Sequence, residues 1–532
     1  MRPKGERAVA AAMALFAAHL CAAGQGPAAT YAFFNILDYG AKNDGSANAA
    51  DAFKAAIAAA KQAGGGTVFV PAGHYVSGPI EMASNLTLEF DAGAIVNFPA
   101  TMLPFTPGRQ QGIETLTPVP LIGGHDLENV AVVGRGVLMS SNVDWMKLHG
   151  RRQASSEDPG SANGPNWERL LNDLNAGKTI SENEYKAAAA ELRPSFVRFM
   201  NSRNILVSGL RFIGSPMWTV HLLYSENATV ENLSIETYPG VHTDGIVVDS
   251  SRFVRIANDY IDTGDDGIVI KSGKDADGLR LNRPTEDVTI TNCTVHHAHG
   301  AVSIGSETSG SVRNIVANNM TVVDTENGAR IKSARGRGGV VENVRFDNWT
   351  MRDVGEAIVV TNYYLMEGET GHGEEPVSKT TPVFRNLAMS HITIDGAKTL
   401  IDIDGLPEMR IQSLHISDVM GTGKKGMTAA YTDDLQLHNV QLDAAEGSAF
   451  TVQHSSNLEL DNVTTRMPLK NTPVVRLDDA PGAVVRNSRA FAGTGVFLCT
   501  GKGELEKIDL EGNVLSNAAV ATQEECTLGG AQ

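Results

Sequence analysis

Cysteine is scarce, four residues in a chain of 532, and no two stand at the short spacings that hold zinc, which excludes a zinc-stapled fold. Aromatic residues make up 6% of the chain while glycine is abundant at 54 residues. That mixture favours many tight turns and thin repeated strands over a helical bundle. Cations are in deficit, Lys+Arg 44 against Asp+Glu 61, for a formal charge of −17. A broad nucleic-acid or anionic-membrane footprint is thereby excluded, and any anionic ligand has to meet a local basic cluster. Disorder is excluded too, because 42% of residues are hydrophobic and 20% charged, enough for a large core. The apolar run Ala8 to Ala23 is shorter than the roughly 20 residues that span a bilayer.

That run follows Arg2, Lys4 and Arg7 and ends in small residues, the pattern of a cleavable export signal over residues 1–29, cut between 23 and 29. The expectation is a secreted or periplasmic protein whose mature part, 30–532, is one domain. Cys21 falls in the leader, and Ala18-His19-Leu20 before it does not match a lipoprotein cleavage site. Losing the leader, with its three cations and one anion, deepens the charge from −17 to −19. In an oxidising compartment Cys499 and Cys526 could pair, or stand as two unpaired small hydrophobes.

From residue 200 onward a six-residue pattern recurs: an apolar residue, any residue, a marker, two more, and an apolar residue. It runs through Val230 to Ile235, Ile256 to Ile261, Ile290 to Val295, Phe346 to Met351 and Leu437 to Leu442. The marker is mostly Asn, at Asn232, Asn258, Asn292, Asn319, Asn348, Asn439, Asn462 and Asn487, with Gly209, His391 and Ser413 in the other places. A period of this size with short strands means a solenoid. The Leu-rich consensus of leucine-rich repeats is absent and propeller blades are longer, which leaves an all-β, right-handed parallel β-helix. Stacked Asn side chains at an inward turn can hydrogen-bond from coil to coil. Upstream, Asp51 to Ala63 reads as an Ala-rich helix able to cap the first coil. Residues 151–193 break the pattern with two helical pieces, Trp167 to Leu174 and Glu182 to Leu192, the second behind the capping box Ser181-x-x-Glu184; they read as an insertion projecting from one coil.

Counted from the Asn markers, the polar residues of the middle coils fall into two phase windows. Asp265, Asp266 and His299 share one; Asp244, Arg330 and Lys332 share the other. Equal phase in successive coils, about 4.8 Å apart, puts residues on one face. Three carboxylates, an imidazole and two cations then converge on one patch. Crowded acids raise one another's pKa, as a general acid near neutral pH requires. Taken singly, Thr-Asp-Gly and Gly-Asp-Asp-Gly are common turn strings; their joint phasing is what favours a site.

These strings resemble the four motifs of glycoside hydrolase family 28, the polygalacturonases: His242-Thr243-Asp244, Asp265-Asp266, Ala298-His299-Gly300 and Arg330-Ile331-Lys332. Longer matches, Ile270 to Gly278, Ser303 to Glu307 and Arg335 to Gly339, are similar to the exo-acting bacterial branch, and Asp38 to Ala41, Gly64 to Val68 and Ser215 to His221 extend the likeness over about 33 to 360. Three positions depart from the pattern: His242 stands for Asn, Gly267 for Cys and Ala298 for Gly. The resemblance implies inverting hydrolysis of α-1,4-linked galacturonic acid in pectin, with Asp265 as the acid, Asp244 and Asp266 holding and deprotonating water, and His299 assisting Asp265. Inversion implies an acid and base roughly 6.5–9.5 Å apart. Arg330 and Lys332 would pair with the substrate carboxylate, supported by Lys271, Lys274 and Arg280, with His242 beside the acids and Tyr363, or equally Tyr364, touching substrate. Trp218 and His221 read as core residues.

The expected partner is a pectic polysaccharide or oligogalacturonide, with no cofactor, no metal, no nucleic acid and no membrane, and the chain is expected to be a monomer. A β-eliminating, Ca²⁺-dependent lyase and a non-catalytic glycan-binding β-helix share such a fold; the acidic trio argues against both.

Overall fold

The structure, a computed structural model, describes residues 32–150, 164–364 and 373–525. The leader, Cys526, residues 151–163 of the insertion and most of the Gly/Glu-rich loop after 364 lie outside them. What organises the chain is parallel pairing between successive coils. One column of strands runs Leu86–Phe90, Glu128–Gly134, Arg203–Ser208, Glu226–Glu231, Arg252–Ala257 and Thr285–Thr291. A second runs Val137–Met139, Arg211–Ile213, Ser234–Glu236, Tyr260–Asp262 and Thr294–His296. The third runs Val197–Met200, Val220–Leu223, Ile246–Asp249, Ile268–Lys271, Val302–Gly305 and Asn327–Lys332. Downstream the bends tighten, and single strands of about this length of a whole coil, Val340–Thr361 and Val383–Asp404 among them, stay in register throughout. The expected parallel β-helix is the fold found.

Inside, equivalent residues stack into apolar ladders. Ile205, Ala228, Val254, Val288, Ile315, Val344, Leu387, Leu414 and Leu435 follow one another in register and are all buried. The Asn markers behave differently from expectation. Asn258, Asn292, Asn319 and Asn348 do form a ladder, each Nδ2 donating to the preceding Oδ1 at 3.2, 3.1 and 2.8 Å, but they are exposed, so the turn points outward. Each has a positive φ between 55° and 61°, a left-handed conformation that Asn tolerates better than most residues. A second outward ladder, Asn85, Asn129, Asn204 and Asn227, went unread in the sequence because its spacing is interrupted by the insertion.

Helix α1 (Ala50–Gln62) buries Ala52, Phe53, Ala56, Ile57 and Ala60 against the first coil, as a cap should. Helix α2 (Asn142–Leu148) precedes the insertion, and α3 (Pro165–Asn175) and α4 (Glu182–Ala189) are its two helical pieces, α4 with the full Ser181/Glu184 capping box. An antiparallel hairpin, Phe105–Gln110 with Ile113–Pro118, was not foreseen. Cys499 is disulfide-bonded; Cys526, with which it could pair, is outside the described residues.

The outward ladder makes a stability prediction. Asn319→Ala loses both side-chain bonds and adds roughly 1–2 kcal/mol of left-handed strain, whereas Asn319→Gly loses only the bonds. Thermal melts should rank wild type above the Gly variant and the Gly variant above the Ala variant; equal losses would show that the backbone conformation contributes nothing.

Candidate active site

The third strand column carries the site. Ahead of each of its strands sits a turn, and the turns are bonded to one another: Gly245 N donates to Asp266 O at 3.0 Å, Gly267 N to Gly300 O at 2.8 Å, and His299 N to Asp265 O at 3.1 Å. Asp244, the Asp265-Asp266 pair and His299 are thereby held on neighbouring coils at one phase. Gly267 fits this packing, since a Cβ there would lie 2.7 Å from Val295 and 2.9 Å from Ala301 O. In the strand Arg330-Ile331-Lys332, Ile331 is buried in the core and the two cations face the other way, as alternation requires.

One carboxylate oxygen from each of Asp244, Asp265 and Asp266 lies within 4.8 Å of the others. Asp266 accepts from Lys332 Nζ at 2.9 Å and Ser303 Oγ at 2.7 Å. Asp244 lies 3.3 Å from Lys271 Nζ, which also reaches Glu307 at 3.4 Å and sits 4.3 Å over the Trp218 ring. Asp265 accepts from the Asp266 N–H at 2.7 Å and lies 3.3 Å from His299 Nδ1. All of these line or adjoin a cavity of about 160 Å³ whose other walls include Gln110, His242, Lys274, Arg337 and Tyr364.

The expectation that crowding raises every acid holds for only part of the trio. Burial, reinforced by the Asp265 charge, pushes Asp244 up to about 8 despite Lys271. Burial opposes the charge on Asp265 as well, but the hydrogen bond and charge of His299 outweigh it and hold that carboxyl well below the usual range. His299 is raised to about 9 by the same bond. In the ligand-free site Asp244 and His299 therefore hold protons more readily than an ordinary carboxyl and imidazole do, and Asp265 has one within reach through its partner. Burial disfavours the Lys271 ammonium, yet Asp244 and Glu307 more than offset it and its pKa rises.

Three expected contacts are corrected. Tyr363 is turned away, with its ring 5.6 Å from the Arg335 guanidinium, and Tyr364 is the tyrosine in the cavity, 4.8 Å from Lys332 Nζ and 5.3 Å from Arg330; consecutive residues leaving a strand end face opposite ways. Arg330 is held at the edge by that ring and does not line the cavity. Arg280, on helix α5 (Asp275–Leu281), is tied to Asp277 and Glu114 at 2.6 and 2.8 Å. Trp218, read as core, is buried but also forms a cavity wall. His221 is a core histidine, 3.6 Å from Asp249. Lys274 lines the cavity and, among the described residues, has no carboxylate within ion-pair distance; burial and Arg337 lower its pKa.

The hairpin closes one side. Its tip residues Gln110 and Gln111 reach the cavity, Gly112 O accepts from Lys274 N at 3.0 Å, and Glu114 N donates to Asp277 at 2.9 Å. A Cβ at Gly112, whose φ is +78°, would lie 2.5 Å from Lys274 Cβ, so only glycine permits this approach. Helices α3 and α4 buttress the hairpin: Trp167, Leu170, Ala188 and Leu192 pack around Ile113, and Trp167 Nε1 donates to Gln111 Oε1 at 3.0 Å.

His242 stands 3.4 Å from an Arg193 nitrogen through Nδ1. The guanidinium only donates, so Nδ1 accepts and the ring proton sits on Nε2. Burial, then Arg193, lowers its pKa to about 4. A folded pKa below the unfolded value of about 6.5 gives stability that is complete above that value and lost as pH falls toward the folded one. His242→Asn should therefore flatten the decline of Tm between pH 6.5 and 4; an unchanged slope would show that His242 titrates normally.

The glycosyl hydrolases family 28 pattern matches residues 175–425, and a rhamnogalacturonase A/epimerase, pectate lyase-like pattern matches 33–115. The solved exopolygalacturonase of Thermotoga maritima is 33% identical, with 78% of this chain and 92% of that one covered and a TM-score of 0.70. The exo-poly-alpha-D-galacturonosidase of Dickeya chrysanthemi is 23% identical over 81% of this chain and 74% of its own. A probable polygalacturonase of Vitis vinifera is 27% identical over 72% and 73%. With its acidic trio held on one strand column and a third of the aligned residues identical across nearly all of a solved relative, the chain belongs to glycosyl hydrolase family 28.

Proposed function

We propose that the chain is an exported, exo-acting hydrolase of α-1,4-galacturonosyl linkages in pectin. The observation that carries this is the cavity itself, in which three carboxyls face Lys271, Lys274, Lys332 and Arg337. Acids for bond cleavage and cations for a carboxylated sugar meet in one small space, which suits a galacturonide better than a neutral glycan. It also reconciles a protein of net charge −17 with a polyanionic substrate.

In this reading Asp265 delivers the proton to the departing glycosidic oxygen. His299 resupplies it across their 3.3 Å contact. Asp244 and Asp266 hold the attacking water and take its proton, with Lys332 and Ser303 fixing Asp266. Lys274, the cavity cation without a carboxylate partner among the described residues, meets the substrate carboxylate, joined by Lys332 and Lys271; His242 and Tyr364 shape the sugar's surroundings. The carboxyl oxygens approach within 4.8 Å, closer than the roughly 6.5–9.5 Å usual for an inserted water. Inversion is therefore supported by the family likeness and not by spacing, and it gives β-configured product at first formation.

Exo-attack is supported by the hairpin, whose tip residues Gln110 and Gln111 line the cavity and are backed by two helices, and by relatives named as exo-enzymes. Export is supported by the leader, which lies outside the described residues.

Asp265→Asn should keep the fold and oligogalacturonide binding while kcat drops at least ~10²-fold, because proton delivery is lost; near-normal turnover in a folded variant would sink the assignment.

Mode and chemistry are tested together by early digestion of long polygalacturonate. Slow viscosity loss with a single small product, β-configured by proton NMR, is expected. A rapid viscosity drop with mixed oligomers would overturn exo-attack, and unsaturated products absorbing in the ultraviolet would replace hydrolysis by elimination.

A further inference from the structure

Three residues ahead of Asp265 and His299 in the chain, a separate cluster faces a different cleft. His296 Nδ1 lies 2.8 Å from His297 Nδ1, and His297 Nδ1 lies 3.0 Å from Asp262 Oδ1. The three side chains are half-buried, and one donor atom from each falls within 4.8 Å of the others. Asp262 and His296 are in-register partners on successive coils, so the backbone ladder fixes their separation.

With a single ring proton on His297 this arrangement is not satisfied, and either a second ring proton or a bound cation has to supply what is missing. The Asp262 carboxylate accepts and so calls for a proton on His297 Nδ1. The other ring nitrogen, Nε2, lies 3.4 Å from Asp324 Oδ2, a second acceptor that calls for a proton there. A neutral imidazole has one proton for the two carboxylates, and His296 Nδ1 faces the same nitrogen as Asp262 does. A cation at the Nδ1 side meets the need with a neutral ring, because it takes the lone pairs of both Nδ1 atoms and the carboxylate while His297 keeps Nε2–H for Asp324. A carboxylate behind a histidine is also the arrangement that orients metal-binding imidazoles.

We propose that Asp262, His296 and His297 bind a divalent transition-metal ion of the zinc type, linking two successive coils. Bonds of roughly 2.0–2.1 Å to a tetrahedral zinc put neighbouring donor atoms roughly 3.3 Å apart, and the 2.8 and 3.0 Å separations need only slight widening. Two imidazoles with one carboxylate select zinc-like ions over calcium or magnesium, which prefer all-oxygen shells. Tyr238, stacked on His297 with ring centroids 4.3 Å apart, holds that ring in place. All three side chains are partly exposed, which gives an ion access from solvent and leaves the fourth position to water; His297 also lines a cleft of about 610 Å³ with Tyr238 and Asp324.

The test titrates untagged, metal-stripped full-length protein with zinc by calorimetry. One equivalent should bind and raise Tm, and His296→Ala and His297→Ala should each weaken binding by at least ~10-fold and abolish the Tm rise. Cobalt in place of zinc should give the visible absorption of a tetrahedral ion. If either variant fails to fold, Asp324→Asn serves instead, with a ~10-fold or greater loss expected. Absence of saturable binding overturns the proposal. So does binding that survives both histidine substitutions, or that is lost only in Asp266→Asn, which assigns the ion to the acidic trio.

Discussion

Coil-to-coil backbone register is the constraint on which the rest depends. Each strand of the third column hydrogen-bonds to its equivalent one coil away, so a side chain at a given phase repeats at the spacing of a parallel sheet. Residues 22 positions apart, such as Asp244 and Asp266, become neighbours through Gly245 N and Asp266 O. No loop has to find its place for the acids to meet. The same ladder that stacks Ile, Val and Leu inside stacks acids and lysines outside, and stability and site geometry share one source.

That rigidity lets the protein hold charges it would otherwise have to separate. Three carboxyls in one small cavity repel, and burial removes the water that would screen them. Lys271, Lys332 and His299 each stand within 3.3 Å of a different member, so each acid has its own compensating cation. Trp218 and Tyr364 lie beside the lysines at 4.3 and 4.8 Å, where an aromatic face favours a cation without offering it a competing acceptor.

Much of this was legible in sequence because it depends on periodicity. Asn at fixed phase announced the turns, shared phase announced Asp265, Asp266 and His299, and Ser181 with Glu184 announced α4. Asp244, counted into the window of Arg330 and Lys332, stands instead in register with Asp266, because its coil has a longer turn. Direction was less legible: an exposed Asn ladder and an inward one have the same spacing, and only the burial of the flanking apolar residues decides between them. The hairpin around Gly112 was hidden because Pro107 and Gly108 read as loop, and its pairing is satisfied by packing on helices more than fifty residues away. Tyr363 and Tyr364 are indistinguishable by resemblance, since a shift of one residue at a strand end reverses the side chain. The proton distribution was the least legible. It depends on one 3.3 Å contact between His299 and Asp265, and residue types alone cannot supply that distance.

The distribution gives the proposed substrate a part in preparing its own cleavage. With the cavity empty, the contact between His299 and Asp265 favours the proton on the imidazole over the carboxylate, the wrong form for an acid. A galacturonide carboxylate drawn in by Lys274 adds negative charge to a buried cluster and competes with the acids for Lys332 and Lys271. Both effects raise the affinity of Asp265 for a proton. On the proposed reading the proton would then pass the short distance from His299 to Asp265, beside the glycosidic oxygen, when a substrate of the right charge is bound. A neutral sugar of the same shape would bring no such charge and no such rise in the proton affinity of Asp265. Discrimination for a carboxylated substrate on this reading acts on the acid itself, beyond any contact to the carboxylate, so selectivity belongs to the chemical step as well as to binding.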